Sequence, residues 1–543
     1  MFTKIYSGAV CGIEGKLISV EADVSDGFPT CIFVGYLASE VKEARERVTA
    51  ALKNSGYLLP AKKIIVNLSP AGMRKQGTAY DLPIALSLLG SLGIIPQEKL
   101  KSVFAVGELS LDGTVRPVKG ILPLIMMAQQ QGFKRCYVPA QNVREAHLAD
   151  KSGKPEISII GVTDLHSACA HFLDEPSLGR IAGSAGDEQQ QPDMKLVYDT
   201  KQPEEVQGVG DFAEIIGQER LKRAIVVAVS GMHHFLMIGP PGSGKSMSAK
   251  AIQGILPPMS FEESLEVTRL YSVAGILGAN CALVTRRPFR SPHHTVTVKA
   301  MTGGGRIASP GEISLAHRGI LFLDELAEFP PAVLEILRQP LEEGIITINR
   351  LQGSDVFPAR FMLVAAMNPC KCGYYPDRSR CQCSPQEVHH YLHRISRPLW
   401  NRIDVCVEVQ QPQQADIRQY IRKTGAIFNK KEQIFDGGLT SRSMAQMVSR
   451  ARKIQEQRFL GAGIHFNSEM TAAHIRRYCP MSDAVEAYAD RLCAMLELTM
   501  RGRHKLLKVA RTIADLDEKE ELLEKHLDEA SAYRMIEASY WEN

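Results

Sequence analysis

The chain has no uninterrupted apolar run of the length a membrane-spanning helix needs, about 20 residues, so no transmembrane segment is expected. Its first residues, Met1-Phe2-Thr3-Lys4-Ile5-Tyr6, lack the apolar centre of a signal peptide, and a cytoplasmic location is expected. A strong excess of one charge is missing too. The net charge is +4 and the pI about 8.3, so a nucleic-acid contact would have to come from local patches. The 12 cysteines mostly stand singly, which excludes a disulfide framework and suits small buried residues in a reducing compartment. What remains is ordinary globular composition, 45% hydrophobic and 23% charged over 543 residues, enough for three or four domains.

One stretch organises the rest. Gly239-Pro240-Pro241-Gly242-Ser243-Gly244-Lys245-Ser246 fits G-x-x-x-x-G-K-[ST] at every defined position. The apolar run Phe235–Ile238 enters it as a strand would, and helix-compatible residues Met247–Leu256 leave it. In that context the glycines let backbone N–H groups close around phosphate oxygens at a helix N-terminus. Lys245 would neutralise β/γ-phosphates and Ser246 would ligate Mg²⁺, so the chain is expected to bind ATP. Ile320-Leu321-Phe322-Leu323-Asp324-Glu325 reads as the partner strand. A buried apolar strand ending in two carboxylates needs a cation or a reaction to serve. Asp324 would hold Mg²⁺ and Glu325 would polarise the attacking water. Phe361–Met367 reads as the neighbouring strand, ending in Asn368, which either orients that water or caps a turn before Pro369.

The N-terminal part alternates strands and helices. Helices are expected over 39–54, 82–91, 121–131 and 163–172, and strands over 62–68, 103–106 and 157–160. Apolar density collapses after Glu175, and 176–208 reads as a flexible linker. Between Ser246 and Asp324 the chain is too long for one crossover, so an insert is expected. It carries Arg286, Arg287, Arg290, His293, His294 and Arg306 with no acid from Arg286 to Arg306. This is either a phosphate-backbone contact or a solvated loop. His293 and His294, adjacent in a strand, would point apart. A hairpin is expected over 343–357. Cys370-Lys371-Cys372 and Cys381-Gln382-Cys383 offer four ligands to a structural Zn²⁺, although C-x-C is tighter than the usual spacing and a reduced cysteine-rich loop is the other reading. Residues beyond 438 show helical periodicity, and 517–521 reads as a solvated charge run.

Two resemblances join these features. Asn67–Ala71, Lys75–Ala85 and Gly107–Val118 resemble the Lon-protease-like domain of non-proteolytic ATPases. The serine and lysine of the proteolytic dyad would fall at Ala79 and Leu122, which cannot do that chemistry. Ser291–Thr295, Gly311–His317 and Leu337–Gly344 resemble the magnesium-chelatase-like branch of AAA+ ATPases. That resemblance implies Arg402 as an arginine finger reaching a neighbouring subunit's γ-phosphate, and Arg511 as the sensor-2 arginine. Arg397 and Trp400-Asn401 depart from the family pattern.

The expected fold is multidomain α/β: a Lon-like α+β domain (1–175), the linker (176–208), an AAA+ P-loop α/β core (209–410) and an α-helical lid (411–543). That order resembles the ComM/YifB type of bacterial protein. It implies a cytoplasmic hexameric ring that hydrolyses ATP, grips branched or single-stranded DNA through pore loops and drives branch migration in natural transformation. A magnesium-chelatase-type subunit, which by the resemblance lacks the Lon-like domain, and a protein-remodelling ATPase are the alternatives. A protease is disfavoured by Ala79 and Leu122.

Overall fold

A computed structural model describes residues 1–149, 157–173, 210–277, 283–305, 308–350, 353–411 and 439–541. The expected linker lies outside the described residues, as does the start of the expected lid.

The N-terminal unit is built on strands β1 (Phe2–Cys11), β2 (Glu14–Ser25), β3 (Thr30–Val34), β4 (Lys63–Ser69), β5 (Val103–Ala105), β6 (Arg135–Pro139) and β7 (Ser158–Val162). They form a mixed seven-stranded sheet in the order β3-β4-β2-β1-β5-β6-β7. The β1–β2 hairpin, in register from Phe2↔Asp23 to Cys11↔Glu14, has no counterpart in the sequence expectations. Its core face includes Thr3 and Ser7, both buried, so the apolar alternation that marks a strand is broken there. Helices α1 (Ser39–Asn54), α2 (Asp81–Ser91) and α3 (Ile121–Gln130) match expectation to within a residue. Every residue of α2 is buried. Its one carboxylate, Asp81, is held by a bidentate contact from Arg47 at 2.8 and 2.9 Å, as a charge taken out of water requires. At the two protease positions, the Ala79 carbonyl accepts from Gly107, and Leu122 is buried with its amide on Glu145.

The central unit holds α4 (Glu219–Gly231), β8 (Phe235–Ile238), α5 (Lys245–Ala251), α6 (Phe261–Ala274), β9 (Phe289–Arg290), β10 (Ile320–Leu323), the hairpin β11 (Ile345–Arg350) and β12 (Gly353–Pro358), β13 (Met362–Met367) and β14 (Val405–Glu408). Its sheet is five-stranded in the order β9-β10-β13-β8-β14, and every pairing is parallel. Strands β8, β10 and β13 are buried along their whole length, as a sheet covered on both faces demands. The C-terminal unit is helical: α7 (Ser441–Arg458), α8 (Asp483–Met495), α9 (Met500–Leu516) and α10 (Glu524–Trp541). One apolar cluster runs through both, with Ile225 and Met237 of the core packed in it beside Val448, Leu506 and Ile513 of the helices.

The N-terminal unit seats on α6. Phe261 and Leu265 pack against its cluster of Phe104, Ile121, Leu124 and Ile125. Polar contacts border that seam: Arg269 donates to the Ile13 carbonyl at 2.9 Å, Gly120 N–H to the Ser272 carbonyl at 3.1 Å, and Gly12 N–H to Asp355 of β12 at 3.1 Å. The hairpin therefore carries its Asp355 against the β1–β2 turn.

Candidate functional site

Parallel register sets the site. Pairing Ile238 with Met367, and Leu323 with Ala365, brings Gly239, Asp324 and Asn368 out at the same C-terminal edge of the sheet, where open α/β sheets take ligands. The loop between β8 and α5 turns through Gly242 (φ +74°) and Gly244 (φ +88°), conformations a side chain disfavours. Lys245 begins α5 and folds back over this loop. Its Nζ donates to the carbonyls of Gly239 and Pro240, both at 2.8 Å, and to Asn368 Oδ1 at 3.2 Å. Burial pushes this amine down to about 8, with Asp324 and Glu325 opposing the shift. Ser246 Oγ donates to Asp324 Oδ2 at 2.6 Å. A hydroxyl and a carboxylate oxygen so placed are the hard donors Mg²⁺ takes, so these residues fit that ion. Glu325 stands in the left-handed region (φ +53°), and its side chain is 57% exposed.

Beside Glu325 is a residue the sequence reading did not place. His294 Nδ1 lies 3.4 Å from Glu325 Oε2. The expectation that His293 and His294 point apart is corrected: the chain turns there instead of extending, and the rings lie 4.0 Å apart. The basic reading of the insert is corrected in part. Arg287 is buried on Glu263 at 2.8 Å, and Arg290 chelates Glu312 with two 2.7 Å bonds, so neither is offered to a ligand. Arg286 and Lys299 are exposed, and Arg306 lies outside the described residues.

Arg402 is not at this edge. It precedes β14, on the opposite edge of the sheet, about 13 Å away for strands of this length, and its guanidinium pairs with Glu342 and the Pro398 carbonyl. Arg501, at the start of α9, reaches the same carboxylate. Arg402 foremost, with Arg501, holds the Glu342 carboxyl below the ordinary glutamate range. These groups line a cavity of about 620 Å³ between core and helical unit, together with Arg318, Lys505 and Lys508. Arg501 carries no motif; only the fold brings it to Arg402.

Arg511, the sensor-2 arginine by the resemblance, is engaged by its own helix end. It is fully buried in the helical unit, with Nε on Asp515 at 3.0 Å and its remaining N–H groups on the carbonyls of Lys519 and Glu520. All its donors that bond are taken by its own helix end, and it does not meet Lys245 or Asp324. The 517–521 run is correspondingly not plain solvated charge: its backbone holds Arg511, and Asp517 pairs with Lys525 and approaches Arg223 at 3.9 Å.

The cysteine pairs converge. The sulfurs of Cys370, Cys372, Cys381 and Cys383 all lie within 4.8 Å of one another, a set that could hold a metal.

Comparison with known proteins matches these units. Residues 211–417 match the family described as magnesium chelatase, subunit ChlI; 20–142 match that described as subunit ChlI of Mg-chelatase; 438–534 match the C-terminal part of subunit ChlI. Competence protein ComM of Haemophilus influenzae is 37% identical over 98% of this chain and 97% of its own. An uncharacterized YifB protein of Salmonella typhimurium is 36% identical over the same shares. The magnesium-chelatase 38 kDa subunit of Acidiphilium rubrum is 24% identical over 58% of this chain and 87% of its own. Likeness that runs the whole length of the first two, through all three units, places this chain in the ComM/YifB family of magnesium-chelatase-like proteins.

Proposed function

We propose that the protein is an ATP-hydrolysing ring motor, a hexamer, that drives branch migration of DNA recombination intermediates during DNA uptake. The observation that carries the ring is the separation of Arg402 from Lys245 across one sheet. A finger at the far edge cannot serve its own P-loop, so a second copy must supply it. In this reading Lys245 binds the phosphates, Ser246 and Asp324 hold Mg²⁺, Glu325 takes the proton of the attacking water, and Asn368 orients that water. The ion, when bound, offsets charge on the phosphates. Arg402 and Arg501 would together approach the neighbour's γ-phosphate once Glu342 yields them.

Competence, for which the Haemophilus relative is named, supports DNA as the substrate. In this reading the DNA contacts come from the exposed Arg286 and Lys299 and from the β11–β12 hairpin. A chelatase-type role is the second reading, favoured by the family descriptions. The family matched over 20–142 carries the chelatase name too, so the N-terminal unit alone does not separate the two; the longer match, 98% of this chain against 58%, supports the first reading.

The test is ATP-dependent migration of a labelled four-way DNA junction by wild type and Glu325→Gln. Migration by wild type alone supports the motor. No migration, with ATP hydrolysis indifferent to every DNA tried, sinks it in favour of protein or porphyrin substrates.

A further inference from the structure

The loop that follows Asn368 runs to the helix beginning at Pro385 with no regular secondary structure. A stretch of that length inside a compact unit needs an internal brace. Its sulfurs supply the material. Cys370 Sγ lies 3.3 Å from Cys372 Sγ and 3.8 Å from Cys381 Sγ, and Cys372 and Cys381 are 3.5 Å apart. Four thiolates at the ordinary Zn–S distance stand about 3.8 Å from one another in a tetrahedron. A second, independent feature points the same way. The backbone amides of Gly373 and Tyr375 both aim at Cys370 Sγ, at 3.3 and 3.4 Å. Two N–H donors converging on one sulfur stabilise a thiolate and would orient it as a ligand.

The braced loop reaches the P-loop by two routes, one direct and one through Gln411. Gly373 turns at φ +88°, and a methyl group there would come within 2.6 Å of Pro241 Cδ, so the loop packs closely against the Pro241 ring. On the other side Arg380 donates to Gln411 at 3.0 Å, and Gln411 donates to the Pro241 carbonyl at 3.3 Å. The neighbouring carbonyls of Gly239 and Pro240 are the ones that hold Lys245, and Asn368, two residues before Cys370, holds it from the third side.

We propose that Cys370, Cys372, Cys381 and Cys383 bind one Zn²⁺, and that this ion fixes the seat of the P-loop so that nucleotide affinity depends on it. The second half rests on the nucleotide reading above; the first does not.

The experiment uses the full chain purified without added metal under reducing conditions. Zinc is counted by mass spectrometry, and the ion is replaced by Co²⁺ to read tetrahedral thiolate absorption. ATP affinity is then titrated for the zinc form, the chelated form, the re-loaded form and Cys372→Ser/Cys383→Ser, with Cys11→Ser as control. One zinc per chain, a thiolate–cobalt spectrum, and an ATP affinity that falls about tenfold on chelation and returns on re-loading are expected. Zinc far below one per chain with no cobalt spectrum overturns the site. Zinc bound, but ATP affinity unmoved by its reversible removal, overturns the coupling. No ATP binding by the zinc-loaded wild type overturns the nucleotide reading instead, while the metal count stands.

Discussion

His294 Nδ1 stands 3.4 Å from Glu325 Oε2, which ties the insert to the carboxylate proposed to act on water. Glu325 is otherwise weakly held, more than half exposed and on a backbone turn of its own. His294→Ala should lower kcat by on the order of tenfold with little change in KM for ATP, the pattern of a positioning residue. His294→Asn should recover part of it. A rise in KM with unchanged kcat would place His294 in binding instead.

Lys245 sets a pH dependence. Burial lowers its pKa to about 8 in the free protein, so the amine is charged below that pH and neutral above it. Anionic phosphate binds the charged form and raises its pKa in the complex. ATP affinity should therefore hold steady below pH 8 and fall as pH rises above it, until the pKa of the complex is passed. Fluorescent-nucleotide titration from pH 6.5 to 9.5 measures this. An affinity flat across that range refutes the assignment.

Arg402→Ala should cut ATP turnover by about 10³-fold without weakening nucleotide binding. Lys245→Ala should abolish binding. Mixed together, the two inactive proteins should regain activity, because an intact P-loop then meets an intact finger on its neighbour. A mixture that stays inactive, in rings shown to exchange subunits, would mean that the two edges of the sheet never meet between copies.

Asp404 and Lys505 clamp the helical unit to the core, 2.8 Å apart and nearly closed to solvent. Burial opposes the Asp404 charge, but Lys505 and His233 outweigh it and pull the carboxyl well below its ordinary range. Its contribution is thus present at neutral pH and lost as the medium becomes acidic below the ordinary carboxylate pKa. Lys505→Met should cost about 3–5 kcal/mol, since it strands a buried charge. Adding Asp404→Asn should restore part of that, measured by denaturant unfolding.

The helices and the nucleotide loop were legible because their signals are local: a fixed spacing of glycines, an apolar strand ending in acids, a stripe of period 3.6. The strand that carries Asn368 to this edge was legible for the same reason. The β1–β2 hairpin was hidden because Thr3 and Ser7 occupy core positions. The partners of Arg511 and Arg501 were not legible, because an arginine's contacts depend on which acid the fold brings to it. Asp515 is four residues from Arg511 and closes it off, whereas Glu342 is far from Arg501 in sequence and draws it to Arg402.

The seam under the N-terminal unit has a practical consequence for anyone trimming this protein. Phe261 and Leu265 lie against the apolar cluster of that unit, and Asp355 takes the Gly12 amide. Removing residues 1–175 would strip the cover from a greasy helix face and leave a carboxylate without one of its donors. A shortened chain would tend to clump, and its loss of activity would say little about what the missing part does.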